Sequence, residues 1–304
     1  MPSVWTKENK TYILFGTTFN MPPPSTSGRP RVLLFDIGGV CVVSPFQAIL
    51  DYETSRGIPP GWINHSISAS SPNGSWQRLE RGEMLLDHHF FAEFKKDLSD
   101  ETRWRTYYAK HLAATRQEKL SDAAEEAAYQ APGVPEIDAE WLYWEMMRVA
   151  RAPDPYMYPA LKRLRAAADK SDGKLIVAAL SNTSIFPPGH AYHDERTPDG
   201  KQHKELRGFF DVFVSSAHVG MRKPDEDIYR YAVVRLHEYV KTTYGGEGVR
   251  AEDITFLDDI GTNLRTAKRL GMRTIKVQLG RADKAVDELE RITGLELRES
   301  RAKL

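Results

Sequence analysis

Cysteine is almost missing: Cys41 is the single one in 304 residues. An internal disulfide framework is therefore excluded, and the chain suits a reducing compartment. Cys41 could in principle be a nucleophile. It follows an apolar strand-like run, so the expectation is a buried small hydrophobe. An excess of one charge is also missing, because 42 Lys+Arg balance 42 Asp+Glu. The basic surplus typical of nucleic-acid binders is absent, so no nucleic-acid partner is expected. No stretch approaches the ~20 apolar residues that a membrane helix needs. The first thirty residues carry Lys7, Glu8 and Lys10 and have no apolar core of signal-peptide length. The expected location is the cytosol, with no membrane partner. No internal repeat is evident, and nothing in the sequence speaks to oligomeric state.

What is there begins with five short apolar runs. They lie at 31–35 (RVLLF), 174–180 (KLIVAAL), 212–214, 254–257 (ITFL) and 274–277 (TIKV). Continuous apolar runs of this length fit strands buried on both faces. Helical patterns at 158–168, 225–240 and 263–270 alternate with them, and Gly271 is placed to stop the last. Strand–helix alternation implies an α/β fold, a Rossmann-like doubly wound parallel sheet. Ligands of such sheets sit beyond the carboxyl ends of the strands. Residues 46–152 interrupt the pattern. Helical segments are expected at 76–81, 83–98, 100–130 and 136–151, rich in charge and aromatics, with no convincing strand. The expected organisation is a flexible extension at 1–29, an α/β core from 30–45 and 153–304, and a helical cap at 46–152.

Four segments carry chemistry, and each follows a strand or a strand-linked loop. They are Asp36 in FDIGGV, Ser181-Asn182 in ALSNTS, Lys223 in GMRKPD, and Asp258-Asp259 with Asn263 in FLDDIGTN. Singly, each has a plain structural reading: a helix cap, a turn, a solvated lysine, a surface acidic pair. Together they supply what phosphoryl transfer needs, namely an anionic nucleophile, a divalent metal and a cationic or hydrogen-bonding clamp. Asp36 can attack phosphorus. Asp36, a backbone carbonyl near Gly38 and the Asp258/Asp259 pair offer the hard oxygen ligands that Mg²⁺ prefers. The Ser181 hydroxyl and Asn182 amide can donate to phosphate oxygens, and Lys223 can neutralise developing charge.

In that order, the four segments resemble the four sequence motifs of the haloacid dehalogenase superfamily, over roughly residues 31–297. A helical insert between the first and second motifs matches its C1-type cap. WQRLERGEM, RKPDEDIY and FLDDIGTNLRTAKRLGM are most similar to the group containing the amino-terminal phosphatase domain of soluble epoxide hydrolase. The resemblance implies a Mg²⁺-dependent phosphatase acting on a small phosphorylated substrate. It implies Asp36 as nucleophile, Gly38 as a carbonyl ligand of Mg²⁺, Ser181 and Asn182 as the phosphate-binding pair, and Lys223 as the charge-stabilising lysine. Asp259 becomes the direct metal ligand and Asp258 a ligand or its support, with Asn263 steadying the acidic loop.

One position departs from the pattern. Phosphatases of the superfamily commonly carry a second Asp two residues after the nucleophile, which protonates the leaving group and later activates water. Gly38 stands there instead. General acid–base catalysis is worth roughly 10²–10⁴ in rate, so slower turnover or a substrate with a good leaving group is expected. Two other readings stay open: a binding or regulatory protein that kept the fold, and a metal-independent 2-haloacid dehalogenase in which Asp36 attacks carbon. The acidic pair at 258–259 weighs against the latter, because it repels an anionic substrate unless a cation intervenes. Trp76, Arg78, Arg81 and His88-His89 are cap candidates for substrate contact, each more easily read as core or surface. A polar insert at 183–204 follows the phosphate-binding pair and suggests a lid or a surface loop. Its His190 and His193 are candidates to replace the missing acid.

Overall fold

The structure, a computed structural model, describes residues 28–116 and 131–298. The expected extension therefore lies outside the described residues except for Gly28 and Arg29, which are exposed. Five strands form one parallel sheet: β1 (Val32–Phe35), β2 (Ile176–Ser181), β3 (Val212–Ser215), β4 (Ile254–Asp258) and β5 (Arg273–Lys276), in the order β3-β2-β1-β4-β5. The α/β parallel architecture is as the sequence implied. Alternation along the central strands decides which face each side chain serves. Leu33 and Phe35 of β1, with Val177 and Ala179 of β2, join one apolar cluster that includes Leu161, Leu164, Val286 and Leu289. Val32 and Leu34, with Ile176, Ala178 and Leu180, join another on the opposite face, with Ile228, Leu236 and Ala267. A strand sandwiched in this way has no polar face, which is why its sequence reads as an unbroken apolar run.

Between β1 and β2 the chain builds a helical insert with its own core. Its described helices are α1 (Phe46–Ser55), α2 (Trp62–Ala69), α3 (Ser75–Glu80), α4 (His88–Leu98), α5 (Glu101–Arg116) and α6 (Ala139–Val149). Trp62, Phe90, Phe94, Leu142 and Tyr143 are buried at its centre. Then α7 (Met157–Asp169) packs beside β2. After β2 come α8 (Pro198–Gly208), α9 (Ser216–Val219), α10 (Glu226–Tyr244), α11 (Gly261–Arg269) and α12 (Ala282–Thr293).

Several boundaries differ from expectation, for local reasons. The helix expected at 83–98 begins only at His88. Gly82 holds a positive φ of +65° and ends the preceding turn, and the Asp87 side chain caps α4 by accepting from the backbone of His89 and Phe90. The helix expected at 136–151 starts at Ala139, capped by Asp138. Residues 117–130 of the segment expected at 100–130 lie outside the described residues. The helices α1 and α2 were not expected; they are short, and Gly57, Pro59, Pro60 and Gly61 separate them. The insert at 183–204 is not wholly irregular. It contains a 3₁₀ turn at Ala191–His193, and its end enters α8, where the Thr197 hydroxyl accepts from Gly200 N at 3.0 Å.

Candidate active site

Parallel pairing brings the site together. The register pairs Phe35 with Leu257, and Asp36 N donates to Leu257 O at 2.9 Å. One residue further along these neighbouring strands stand Asp36 and Asp258, at the carboxyl edge of the sheet. Ser181 ends β2 on the other side of β1. Lys223 arrives from the loop between α9 and α10 and is 1% exposed. Its Nζ lies 2.8 Å from Asp36 Oδ1 and 2.7 Å from Asp258 Oδ2. Asp258 is held firmly: Asn263 Nδ2 donates to both its oxygens at 3.1 Å, and Ile260 N donates to Oδ1 at 2.7 Å.

Asp259 completes the cluster. Ligand atoms of Asp36, Asp258 and Asp259 all lie within 4.8 Å of one another. Asp259 Oδ1 is buried and has no hydrogen-bond partner. An unpaired buried carboxylate oxygen is costly unless a cation or proton meets it. Gly39 leaves room for this carboxylate: a Cβ there would lie 2.6 Å from Asp259 Oδ2, on a backbone at φ +76°. Three hard oxygen donors around one point suit Mg²⁺.

The electrostatics say the same. One ammonium faces three carboxylates. Burial, opposed by Lys223 and reinforced by Asp258, pushes Asp36 up to about 6. Burial, with the charges of Asp36 and Asp258, pushes Asp259 up to about 7. Burial pulls Lys223 down, but Asp36 and Asp258 outweigh it, so its affinity for the proton is raised. The consequence for stability has a definite sign. Unfolded aspartates titrate near ~4, so between about pH 4 and 7 the folded chain binds more protons than the unfolded one. Without a cation, these two groups make stability fall as pH rises through that window. A bound Mg²⁺ removes the penalty only where the carboxylates are ionised. We expect Mg²⁺ to raise the melting temperature more at pH 7.5 than at pH 5, as thermal unfolding can measure. Equal shifts at both pH values would contradict this.

Of the predicted residues, Asp36, Lys223, Asp258, Asp259 and Asn263 meet in one cluster. Gly38 lies in the turn beyond β1, bridged to Val42. Ser181 is buried, and its hydroxyl points to Asn182 O at 3.3 Å. The Asn182 side chain acts as a strut on the lysine loop: its Oδ1 accepts from Lys223 N at 2.8 Å, and its Nδ2 donates to Lys223 O at 3.1 Å. Cys41 is fully buried, with Sγ 3.1 Å from Asp36 O, and burial raises its thiol well above the ordinary range. It is an inert packing group.

Histidines of the insert go elsewhere. The His190 ring stacks on Trp144 at 5.4 Å and lies against Phe186 at 4.6 Å. His193 Nε2 faces Phe186 O at 3.4 Å. Neither hydrogen-bonds to the carboxylate cluster, so the expectation that one replaces the missing acid finds no support. In the cap, His88 and His89 are exposed at the start of α4, and Arg81 pairs with Glu83 at 2.9 Å. Trp76 packs against Phe94 and Tyr143 and donates to Glu80 Oε1 at 3.0 Å.

Glu80 was not expected. From the end of α3, its Oε2 accepts from Arg222 Nε at 2.7 Å and from Asn182 Nδ2 at 3.3 Å. Its backbone O accepts from the Ser216 hydroxyl at 2.6 Å, which in turn accepts from Thr183 N at 2.8 Å. The motif WQRLERGEM marks this segment, but no spacing argument reveals that its glutamate reaches across to the core.

The family description "haloacid dehalogenase-like hydrolase" matches residues 30–271. The chain belongs to the haloacid dehalogenase-like hydrolases. Among curated relatives, bifunctional epoxide hydrolase 2 of Sus scrofa is 38% identical over 271 residues, covering 88% of this chain and 39% of that protein. Acyl-CoA dehydrogenase family member 10 of Mus musculus is 27% identical over 267 residues, covering 88% of this chain and 19% of that protein. The chain thus spans well under half the length of these curated relatives. Among solved structures, a predicted HAD-like family hydrolase from Porphyromonas gingivalis matches at 20% identity and a TM-score of 0.46, covering 86% of this chain and 98% of that one. No helix among the described residues is long and apolar enough to cross a membrane.

Proposed function

We propose that the chain is a Mg²⁺-dependent phosphatase of a small phosphomonoester, with Asp36 as nucleophile. The observation that carries this reading is the trio Asp36, Asp258 and Asp259, whose oxygens gather within 4.8 Å while Asp259 Oδ1 stays buried without a partner. Asp36, Asp259 and the Gly38 carbonyl would hold Mg²⁺, with Asp258 as a further ligand or support, and the ion would offset the negative charge shared by carboxylates and phosphate. Asp36 attacks phosphorus, forming an O–P bond as the ester P–O bond breaks. The leaving oxygen keeps the bonding electrons and takes its proton from water, since Gly38 has no side chain to give one. Water then attacks phosphorus and gives its proton to the hydroxide left by the first step, the aspartyl–phosphate bond breaks, phosphate leaves, and Asp36 is regenerated. Through both steps Lys223 stands against the Asp36 carboxylate, where it can neutralise charge on the transferring group. Ser181, buried at the end of β2, would donate its hydroxyl to a phosphate oxygen, while Asn182 and Asn263 hold Lys223 and Asp258 in position.

Metal dependence separates this reading from the dehalogenase. The unpartnered carboxylate oxygen disfavours binding a 2-haloacid without a cation. A panel of phosphomonoesters with and without Mg²⁺ tests the proposal, and turnover of 2-chloropropionate in chelator would overturn it.

The missing acid gives a gain-of-function test. A Cβ at Gly38 would meet only Pro45 Cδ, at 3.6 Å, an ordinary contact, so the backbone there accepts a Cβ. We expect Gly38→Asp to raise kcat/KM for alkyl phosphates by about 10²-fold, and to change kcat/KM for p-nitrophenyl phosphate far less, because that ratio reports the step in which nitrophenolate leaves without a proton. Steady-state kinetics on the two substrates measures this.

A further inference from the structure

We propose that Glu80, on the cap, is a positioning residue that sets the active-site lysine. Three observations carry this. First, the Glu80 carboxylate is largely enclosed, its side chain 12% exposed against 15% for Arg222. Second, its Oε2 holds both neighbours of Lys223 at once: Arg222 through Nε at 2.7 Å, and Asn182 through Nδ2 at 3.3 Å. Third, Asn182 is bonded to Lys223 at both its N–H and its C=O, and Lys223 Nζ bridges Asp36 and Asp258. Polar contacts therefore run from the cap to Arg222 and Asn182, and from Asn182 to the backbone of Lys223, whose side chain carries the ammonium beside the nucleophile.

The backbone contacts of the same cap turn do not depend on the carboxylate. Ser216 Oγ donates to Glu80 O, and Gly82 lies so close to Ala217 O that a Cβ there would stand 2.2 Å away. These contacts seat the cap turn on α9. The carboxylate then has a separate task, which is to fix the Arg222-Lys223 segment. Glu80 does not touch the reacting atoms. It makes the placement of Lys223 depend on the cap being seated.

The role assigned to Lys223 in turnover rests on the phosphatase reading, but its placement does not, so the test has two arms. Glu80→Gln and Glu80→Ala are compared with wild type, with the melting temperature recorded for each. In the first arm, reductive methylation followed by peptide mass spectrometry reads the reactivity of Lys223, which is 1% exposed. Lys223 is expected to be protected in wild type and modified in Glu80→Ala, with Glu80→Gln between them because it keeps an acceptor for Asn182. In the second arm, kcat for a phosphomonoester with Mg²⁺ is expected to fall by about 10²-fold in Glu80→Ala, with KM nearly unchanged, since a displacement near 1 Å costs that much. Equal protection of Lys223 in all three proteins overturns the inference even if wild type is an active phosphatase. A wild type that turns over no phosphomonoester, with Lys223 still released by Glu80→Ala, defeats the phosphatase reading and leaves the positioning role standing. If Glu80→Ala fails to fold, Glu80→Gln decides: protection of Lys223 equal to wild type overturns the proposal.

Discussion

Asp36→Asn will abolish phosphomonoester turnover, by roughly four to six orders of magnitude, the scale seen when a nucleophile that works with its partners is removed. The amide keeps the size of the carboxylate and a hydrogen-bonding oxygen, but it is a poor nucleophile and a weaker ligand for a divalent ion. Asn also removes one of the two anions against which Lys223 is placed, at 2.8 Å. The variant will still fold, because one of the buried like charges is gone from a site where the carboxylates outnumber the ammonium. Its melting temperature in the absence of metal will equal or exceed that of wild type at pH 7.5. Single-turnover kinetics and a thermal scan check the two halves. Retained turnover would place the nucleophile elsewhere.

Lys223→Met carries the largest expected loss of stability. Methionine fills most of the lysine's volume, so the cavity it leaves is small. What it removes is the single ammonium buried between Asp36 and Asp258. Breaking a buried ion pair by deleting one partner costs about 3–5 kcal/mol, since the remaining charges stay desolvated and uncompensated. The loss will depend on pH in a definite direction. Without Lys223, Asp36 and Asp259 hold their protons more tightly in the folded state, so the variant loses stability as pH rises from about 4 towards neutrality. Denaturant unfolding at pH 5 and pH 7.5 will show a smaller gap from wild type at the lower pH, and Mg²⁺ will narrow the gap at pH 7.5. A gap that is constant with pH and indifferent to Mg²⁺ would mean that Lys223 acts through packing alone.

How much of this could be read from sequence depends on the range of the interaction. The central strands were legible because burial on both faces leaves no polar position in VLLF or in the IVAAL that precedes Ser181. Asp36, Ser181 and Asp258 were legible as a group because each follows or ends such a strand, and a parallel sheet brings those ends to one edge. The start of α4 was harder: Asp87 and Gly82 both mark a boundary, yet the apolar pattern runs on through Met84 and Leu86, which are buried although they are not helical. The roles of His190 and Asn182 turned on tertiary partners. Trp144, more than forty residues earlier in the chain, takes the His190 ring, and the Lys223 backbone takes both ends of the Asn182 amide. Glu80 was hidden for the same reason. In α3 it reads as an ordinary charged residue at a helix end, and only folding carries it to Arg222, 142 residues away in sequence.

The gathering of Asp36 and Asp259 around a shared cation is tested most directly by calorimetric titration of Mg²⁺ into the metal-free protein at pH 7.5, beside the Asp259→Asn variant. One ion bound per chain by wild type, with the variant weakened at least tenfold, is the predicted result. Equal binding by both proteins, or none by wild type, would contradict it.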